Sequence, residues 1–319
     1  MPCALTRTSQ KTINVQSHVV TWKADGERYV LYMDSSRGTE TVYLINRKFD
    51  MFDLLESHQT AARAILSSFD DARHGCTILD GELITNQSTG KQDYIIFDML
   101  CDNDSQIHRS SYTERISRVH KRLGNLSNCI DSQTYASLSL HITVKNFYPV
   151  SELYTLIESI RPTGPAQFLY QNMYECDGIV FIPRGEYTTR VDRNMLKVKL
   201  AVSQITIDFQ LNSMPRGNLW TFSCMGPNNE LLECRRQPLD PEQKKICTDM
   251  LVEYEKQRRN RPDLRLIVEC CYDAQEGVWI VKKRRTDKNL PNSYSVYCET
   301  METLVQGLVV EKLFKADQV

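Results

Sequence analysis

The feature that most narrows the fold is a series of short strand-like runs in the first third of the chain. Residues 28–33, 41–45, 76–84 and 93–100 are rich in aliphatic and aromatic side chains. Turn residues such as Gly, Asn, Asp and Ser separate them, which is the composition of strands joined by turns. Residues 51–69, between the second run and the third, are helix-like. Strand-like runs return at 178–183, 195–200, 205–211 and 219–225, and Leu264, Leu266, Val268 and Cys270 alternate as a further strand. Helical spacing is confined to a few places. Ile116, Val119 and Leu123 share one face of residues 112–124, whose Arg115, Arg118, Lys121 and Arg122 are expected on a solvated face. Val150, Leu153, Leu156, Ile157 and Ile160 suggest a second helix, stopped by Pro162 and Gly164. Asp240-Pro241 with Gln243 marks a helix start, with Pro in the first turn and Gln placed for a capping role. Met301, Leu304, Leu308 and Val309 predict a helix that closes the chain.

This pattern predicts an α+β protein in two parts. A length of 319 residues suits about two domains, and 41% hydrophobic with 25% charged residues suits folded cores. Residues 1–203 read as a large strand-rich mixed domain. Residues 204–319 read as short strands with a helix, for which a small β-barrel is the expected form.

Bulk charge excludes some functions. A formal net charge of -1 argues against non-specific coating of nucleic acid, so any such contact should be a local positive groove. The eleven cysteines include no Cys-x-x-Cys pair and the six histidines do not cluster with them, which disfavours a zinc site and a disulfide framework. With no apolar run near eighteen residues and no signal peptide, no membrane partner is expected, and the compartment is expected to be reducing, cytosol or nucleus.

Several segments place polar groups where chemistry could use them. Lys23 follows the apolar Val19 and Val20 in Trp22-Lys23-Ala24-Asp25-Gly26-Glu27-Arg28. A lysine at a strand end, then a turn glycine and an arginine, suits an amine nucleophile facing a phosphate or sugar; a lone lysine there more often simply meets solvent. Asp80 and Glu82 are two apart and point to one side of their strand. Two carboxylates so placed cost stability unless a cation or donors meet them, which makes them candidates for a sugar hydroxyl or Mg²⁺, a solvent-facing edge being the plain alternative. Leu196, Val198 and Leu200 take one face of their strand and force Lys197 and Lys199 onto the other, where paired ammonium groups suit phosphates. A lysine is ordinarily protonated and non-nucleophilic at neutral pH, and neighbouring cations with partial burial are the available means of freeing a lone pair on Lys23. Phe97, beside Asp98 in Tyr94-Ile95-Ile96-Phe97-Asp98, could offer a ring face to a base, whereas Tyr94 reads as core. Asp177 leads into another buried strand and is a second candidate metal or phosphate-region ligand. Lys282-Lys283-Arg284-Arg285-Thr286-Asp287-Lys288 would serve as a nuclear import signal or a solvated turn. An Asp among cations, followed by Pro291-Asn292, suggests instead an ordered salt-bridged loop able to clamp a leaving pyrophosphate.

Taken in order, these segments resemble motifs I, III, IIIa, IV, V and VI of the covalent nucleotidyltransferase superfamily of capping enzymes and ATP-dependent ligases: Lys23-x-Asp-Gly-x-Arg28, Asp80-Gly-Glu82, Tyr94-x-x-Phe97-Asp98, Asp177-Gly-Ile-Val-Phe181, Leu196-Lys-x-Lys199 and Arg285-x-Asp287-Lys288. Within it the chain is most similar, over nearly its full length, to eukaryotic mRNA capping guanylyltransferases. Trp22-Lys23-Ala24-Asp25-Gly26 with Arg28-Tyr29 favours that branch, as do Asp177 where DNA ligases usually have Glu, Ile207-Asp208-Phe209, and Thr286-Asp287-Lys288 with Pro291-Asn292. Two departures stand out. Val198 replaces the Trp usual in motif V, and Lys283 replaces the first Arg of motif VI, where a lysine cannot make a bidentate phosphate contact.

The resemblance implies an ATP-grasp-like nucleotidyltransferase domain of antiparallel sheets with flanking helices over residues 1–203, and an OB-fold barrel with a closing helix over 204–319. It implies GTP as substrate and Mg²⁺ or Mn²⁺ as cofactor. Lys23 would attack the α-phosphate and form a lysyl-GMP intermediate, and GMP would pass to the 5′-diphosphate end of RNA. Arg28 and Glu82 would hold the ribose, Phe97 would stack on guanine, and Lys197 and Lys199 would contact the α-phosphate region, with Asp25 and Asp80 in the same GTP site. Asp177, with Glu82, would place the metal. Arg285 and Lys288 would reach the outer phosphates, ordered by Asp287. A nuclear location and binding to the phosphorylated tail of RNA polymerase II are likewise implied. No triphosphatase domain fits ahead of Lys23, so a separate RNA 5′-triphosphatase is expected unless the chain is a fragment. An ATP-dependent RNA or DNA ligase is the alternative that shares the chemistry, and a degenerate binding subunit is disfavoured by the intact Lys23, Glu82, Lys197 and Lys199.

Overall fold

The computed structural model describes residues 2–36, 38–69, 75–125, 129–164, 167–213 and 219–310. The architecture is α+β and rich in sheet, and the chain divides into two compact units, the first mainly residues 8–197 and the second mainly the residues that follow.

The first unit contains β1 (His18–Ala24), β2 (Glu27–Asp34), β3 (Thr41–Ile45), α1 (Gln59–Phe69), β4 (Thr77–Thr85), β5 (Gln92–Asp102), α2 (Tyr112–Gly124), β6 (Leu140–Val144), β7 (Tyr174–Pro183) and β8 (Asp192–Lys199). One sheet runs β3-β2-β4-β5 with antiparallel pairing, and β6 joins β5 in parallel. Along β2 only every second residue is buried, Tyr29, Leu31 and Met33, so one face of this sheet forms the core. Those side chains pack with Ile65 and Phe69 of α1 and Val119 of α2. In a second sheet β7 lies between β1 and β8. Nearly all of β1 is buried, which fits the Val19, Val20 and Trp22 side chains that precede Lys23.

Two helices differ from the sequence expectation. Residues 51–69 are not one helix, because Met51–Asp53 is an edge strand on β3 and the Asp53 carboxylate caps a short helix, Leu54–Ser57, by accepting from Leu55 N and Glu56 N. The chain then breaks at His58 before α1 begins. The helix expected to end at Pro162 is confined to Leu153–Glu158, and Ile160 starts a strand, Ile160–Gly164, at the end of its sheet. A proline is tolerated on an edge strand because no second neighbour needs its missing N–H.

The second unit contains β9 (Thr206–Ser213), β10 (Leu219–Met225), β11 (Leu231–Pro238), α3 (Pro241–Arg258), β12 (Ile267–Asp273), β13 (Val278–Arg284) and α4 (Tyr294–Gln306). Its sheet has the order β11-β10-β9-β12-β13, antiparallel throughout. Phe209 anchors the core, edge-on to Trp279 at 5.0 Å and to Phe222 at 5.7 Å. Among the described residues no backbone ladder joins the outer strands β11 and β13. A side chain bridges them instead: the buried Gln237 amide donates to Trp279 O at 2.7 Å and accepts from Trp279 N at 2.9 Å.

The strand expected at 264–270 starts only at Ile267. Asp240 rather than Gln243 caps α3, accepting from Glu242 N and Gln243 N at 2.9 Å, while the Gln243 side chain bonds both backbone groups of Val281. The closing helix stops at Gln306, because Gly307 takes a left-handed φ of 64° and ends it. Leu308 and Val309 are therefore buried beyond the helix rather than on its face. No helix among the described residues is long and apolar enough to cross a membrane.

Candidate active site

Two β-bulges aim the side chains at the centre of the first unit. On β7, Cys176 lies opposite Ala24 and Gly178 opposite Lys23, so Asp177 is the extra residue of a bulge. On β5, Asp98 lies opposite Asp80 and Ile96 opposite Gly81, so Phe97 is likewise extra. A bulge turns its extra side chain out of the regular alternation. Asp177 thereby meets Lys23, Nζ to Oδ1 at 2.8 Å, with 26% and 15% of the two side chains exposed. Phe97 is half-buried and lines a cavity together with Lys23, Asp25, Arg28, Asp80 and Glu82.

The two carboxylates of β4 are each met by a cation. Asp80, fully buried, receives Arg28 through two bonds, Nε to Oδ1 at 2.8 Å and an Nη to Oδ2 at 2.5 Å. The same Nη donates to the Tyr187 hydroxyl at 2.8 Å, and that hydroxyl donates to Asp80 at 2.7 Å. The Asp80 bonds hold the Arg28 guanidinium well above its ordinary value. Burial, reinforced by Asp80, pushes the Tyr187 phenol up as well. Glu82 accepts from Lys145 at 2.9 Å. Lys145 is buried, and its Nζ sits 4.7 Å from the Trp22 ring centre and 5.9 Å from that of Phe97. Its backbone extends the β6 ladder, donating to Ile96 O at 2.8 Å, which fixes it beside Phe97.

Asp98 is a structural partner rather than a second open carboxylate. Arg115 grips it at 2.7 and 2.9 Å and also donates to Ser110 O and Gly185 O. Arg115 is 2% exposed, so the expectation of a solvated cation there is corrected. Arg118 and Arg122 reach Asp102 from the next turns of α2. Burial pushes the Asp98 carboxyl up against the pull of Arg115. Beneath this layer Gly81 leaves room for the Tyr94 ring. A Cβ on Gly81 would stand 2.5 Å from Tyr94 Cζ, and the Tyr94 hydroxyl is tied to Tyr29 O and Leu79 O.

Other expected residues lie apart from the cavity lining. Leu196 and Val198 of β8 are buried, and Lys197 and Lys199 take the opposite, half-buried face, two strands from Lys23 across β7. The carboxylate of Asp177 touches the Lys23 ammonium at 2.8 Å. In the second unit Asp208, buried on β9, collects both Arg285, at 3.1 Å, and Lys288. Arg285 also forks onto Asp287 at 2.9 and 2.7 Å, and Asn292 bonds the Asp208 backbone.

Sequence reading missed Lys145 and Tyr187 as site residues and treated Asp208 only as part of a family pattern. Lys145 carries a faint signal, a single cation after an apolar run. Tyr187 carries none, since it arrives from a loop fixed by Tyr187 N to His108 O at 2.8 Å. Among the described residues no three His, Cys, Asp or Glu side chains gather as metal ligands. Mg²⁺ is commonly held through one or two carboxylates plus substrate phosphates, and the hard oxygens of Asp177 and Glu82 suit that mode.

Residues 1–201 match the family model described as mRNA capping enzyme, catalytic domain, and residues 197–314 match mRNA capping enzyme, C-terminal domain. The chain is 23% identical over 319 residues to the mRNA-capping enzyme of Danio rerio, covering 98% of this chain and 48% of that protein. It is 24% identical over 360 residues to the mRNA-capping enzyme subunit alpha of Neurospora crassa, covering 99% and 83%. It thus spans about half the length of its animal relatives. A solved mycobacterial DNA ligase D complexed with ATP and MES aligns at 15% identity with a TM-score of 0.46, over 91% of this chain and 94% of that one. By the two family-model matches, which run across both of its units, the chain belongs to the mRNA capping enzyme family.

Proposed function

We propose that the chain is an mRNA guanylyltransferase that uses GTP and RNA with a 5′-diphosphate end. The observation that carries this reading is the convergence of Lys23, Arg28, Glu82 and Phe97 on one cavity in a chain of this family. Lys23 Nζ, once deprotonated, attacks the α-phosphate. A P–N bond forms, the bond to the β-phosphate oxygen breaks, and pyrophosphate leaves. An oxygen of the RNA diphosphate then attacks the same phosphorus, the P–N bond breaks, and the lysine takes back a proton. Arg28, Glu82, Asp25 and Asp80 belong to the nucleotide side of this scheme. Lys197, Lys199, Arg285 and Lys288 supply cations for the phosphates, with Asp287 ordering their loop. Mg²⁺ or Mn²⁺, held by Asp177 and Glu82 with the substrate phosphates, would neutralise charge in a loose phosphoryl transition state.

Base choice follows from two neighbours. Phe97 offers a stacking face, and Lys145, a donor-only ammonium 5.9 Å from that ring, favours the carbonyl acceptor of guanine over the amino group of adenine. The second unit is read as an OB-fold barrel, because the Gln237–Trp279 bridge links the two outer strands of its sheet. A separate RNA 5′-triphosphatase, the phosphorylated tail of RNA polymerase II and a nuclear location complete the proposal. The Neurospora relative is named a subunit, which supports a partner chain.

Labelled GTP with Mg²⁺ tests this reading. An acid-labile GMP adduct is expected, and it should vanish in Lys23→Ala. Labelling by ATP in place of GTP would assign the chain to the ligases, and no adduct with either nucleotide would sink the proposal.

A further inference from the structure

The hairpin after β3 contains an aromatic side chain that neither packing nor backbone geometry explains. Asn46 and Asp50 close it, Asn46 N donating to Asp50 O and Phe49 N to Asn46 O at 3.1 Å. The Asn46 side chain fixes the turn by accepting from Lys48 N at 2.8 Å and Asp50 N at 3.0 Å, and by donating to the Asp50 carboxylate. This turn ends in a left-handed residue, the place that glycine fills most readily. Phe49 stands there with a φ of 64°. Its side chain is 84% exposed, so no burial compensates the strain. Strain kept at an exposed aromatic points to a ligand.

The turn also says where that ligand comes from. Arg47, two residues before Phe49, lines the cavity that holds Lys23. Arg47 and Lys48 are exposed cations, and cations interleaved with an aromatic suit single-stranded nucleic acid. The nearby carboxylate of Asp50 is occupied by Asn46. We propose that Phe49 is the stacking platform for the base of the first nucleotide of the acceptor RNA, with its 5′-diphosphate directed past Arg47 into the cavity. This rests on the guanylyltransferase reading and adds the acceptor subsite to it. Every base has a π-face, so the platform accepts any first nucleotide.

The test uses a short 5′-diphosphate RNA, the same RNA with an abasic first nucleotide, and the variants Phe49→Gly and Phe49→Trp. Glycine relieves the left-handed strain, so Phe49→Gly should melt at the same temperature as the parent or higher, whereas a structural role for the ring requires a lower one. Its affinity for the intact RNA, measured by fluorescence anisotropy, should fall about tenfold, the usual scale of one lost stack. GMP transfer per lysyl-GMP formed should fall with it. Phe49→Trp should restore both, and the abasic RNA should bind parent and Phe49→Gly alike. Equal affinity of both proteins for intact RNA would overturn the proposal and leave the ring to a protein partner. Failure of the parent to form lysyl-GMP would instead overturn the guanylyltransferase reading.

Discussion

Asp177 reaches the Lys23 ammonium at 2.8 Å because it is the extra residue of a bulge lying against the strand that carries the lysine. A regular strand would pair Asp177 in the ladder and alternate it away. The contact keeps the candidate nucleophile aligned until substrate arrives. Replacing Asp177 by Ala should leave the fold intact, since both side chains are partly exposed, but reduce GMP adduct formation by about 100-fold or more. Quantifying labelled adduct against a melting curve checks both halves. Wild-type adduct levels in Asp177→Ala would refute the role.

Gly81 is required by its neighbour. A methyl group there would meet the Tyr94 ring at 2.5 Å, and that ring is buried and tied down by two hydrogen bonds. Gly81→Ala should therefore cost about 1–3 kcal/mol, the range for overpacked cores, seen as a lower midpoint in urea. Gly81→Ala with Tyr94→Phe, which frees the ring from its two anchors, should recover only part of this, because the clash is with the ring itself.

Much of the site was legible in the sequence for one physical reason: strand alternation is a local rule. It places Asp80 and Glu82 toward the same cavity and separates Leu196 and Val198 from Lys197 and Lys199. What it could not supply were departures from alternation. The bulges at Phe97 and Asp177 depend on how two strands pair, which is invisible in either strand alone. The burial of Arg115 against Asp98 depends on a contact between residues far apart in the chain, so helical spacing alone left it in solvent. Lys145 and Tyr187 reach the cavity by parallel pairing and from a loop, neither of which leaves a periodic trace.

Lys145 should set nucleotide preference. Its ammonium is buried between the Trp22 and Phe97 rings, with Glu82 as counter-charge. Lys145→Met should lower kcat/KM for adduct formation from GTP by roughly 10- to 100-fold and affect ATP less, because only the guanine carbonyl loses its donor. The change also strands the Glu82 carboxylate, so Glu82→Gln is the control. That variant should weaken both nucleotides without altering their ratio, and an equal loss for GTP and ATP in Lys145→Met would remove Lys145 from base recognition.

The loop of the second unit should stay paired in acid. The Arg285 guanidinium, forked onto Asp287 at 2.9 and 2.7 Å, holds that carboxyl well below the usual carboxylate range. A carboxylate whose folded value is depressed contributes stability above its unfolded value of about 3.9 and loses it as pH falls through the folded value. The contribution is thus constant from pH 7 down to about 4 and disappears only below that. Asp287 is 59% exposed, so solvent screening keeps the effect on unfolding small, and the side-chain carboxyl resonance in NMR is the better readout. It should still report a carboxylate at about pH 3.5. Arg285→Lys keeps the charge but not the fork, and should raise the midpoint toward the ordinary value. An ordinary midpoint in the unaltered protein would mean that the fork does not persist in solution, and that Arg285 is held by Asp208 and Glu269 instead.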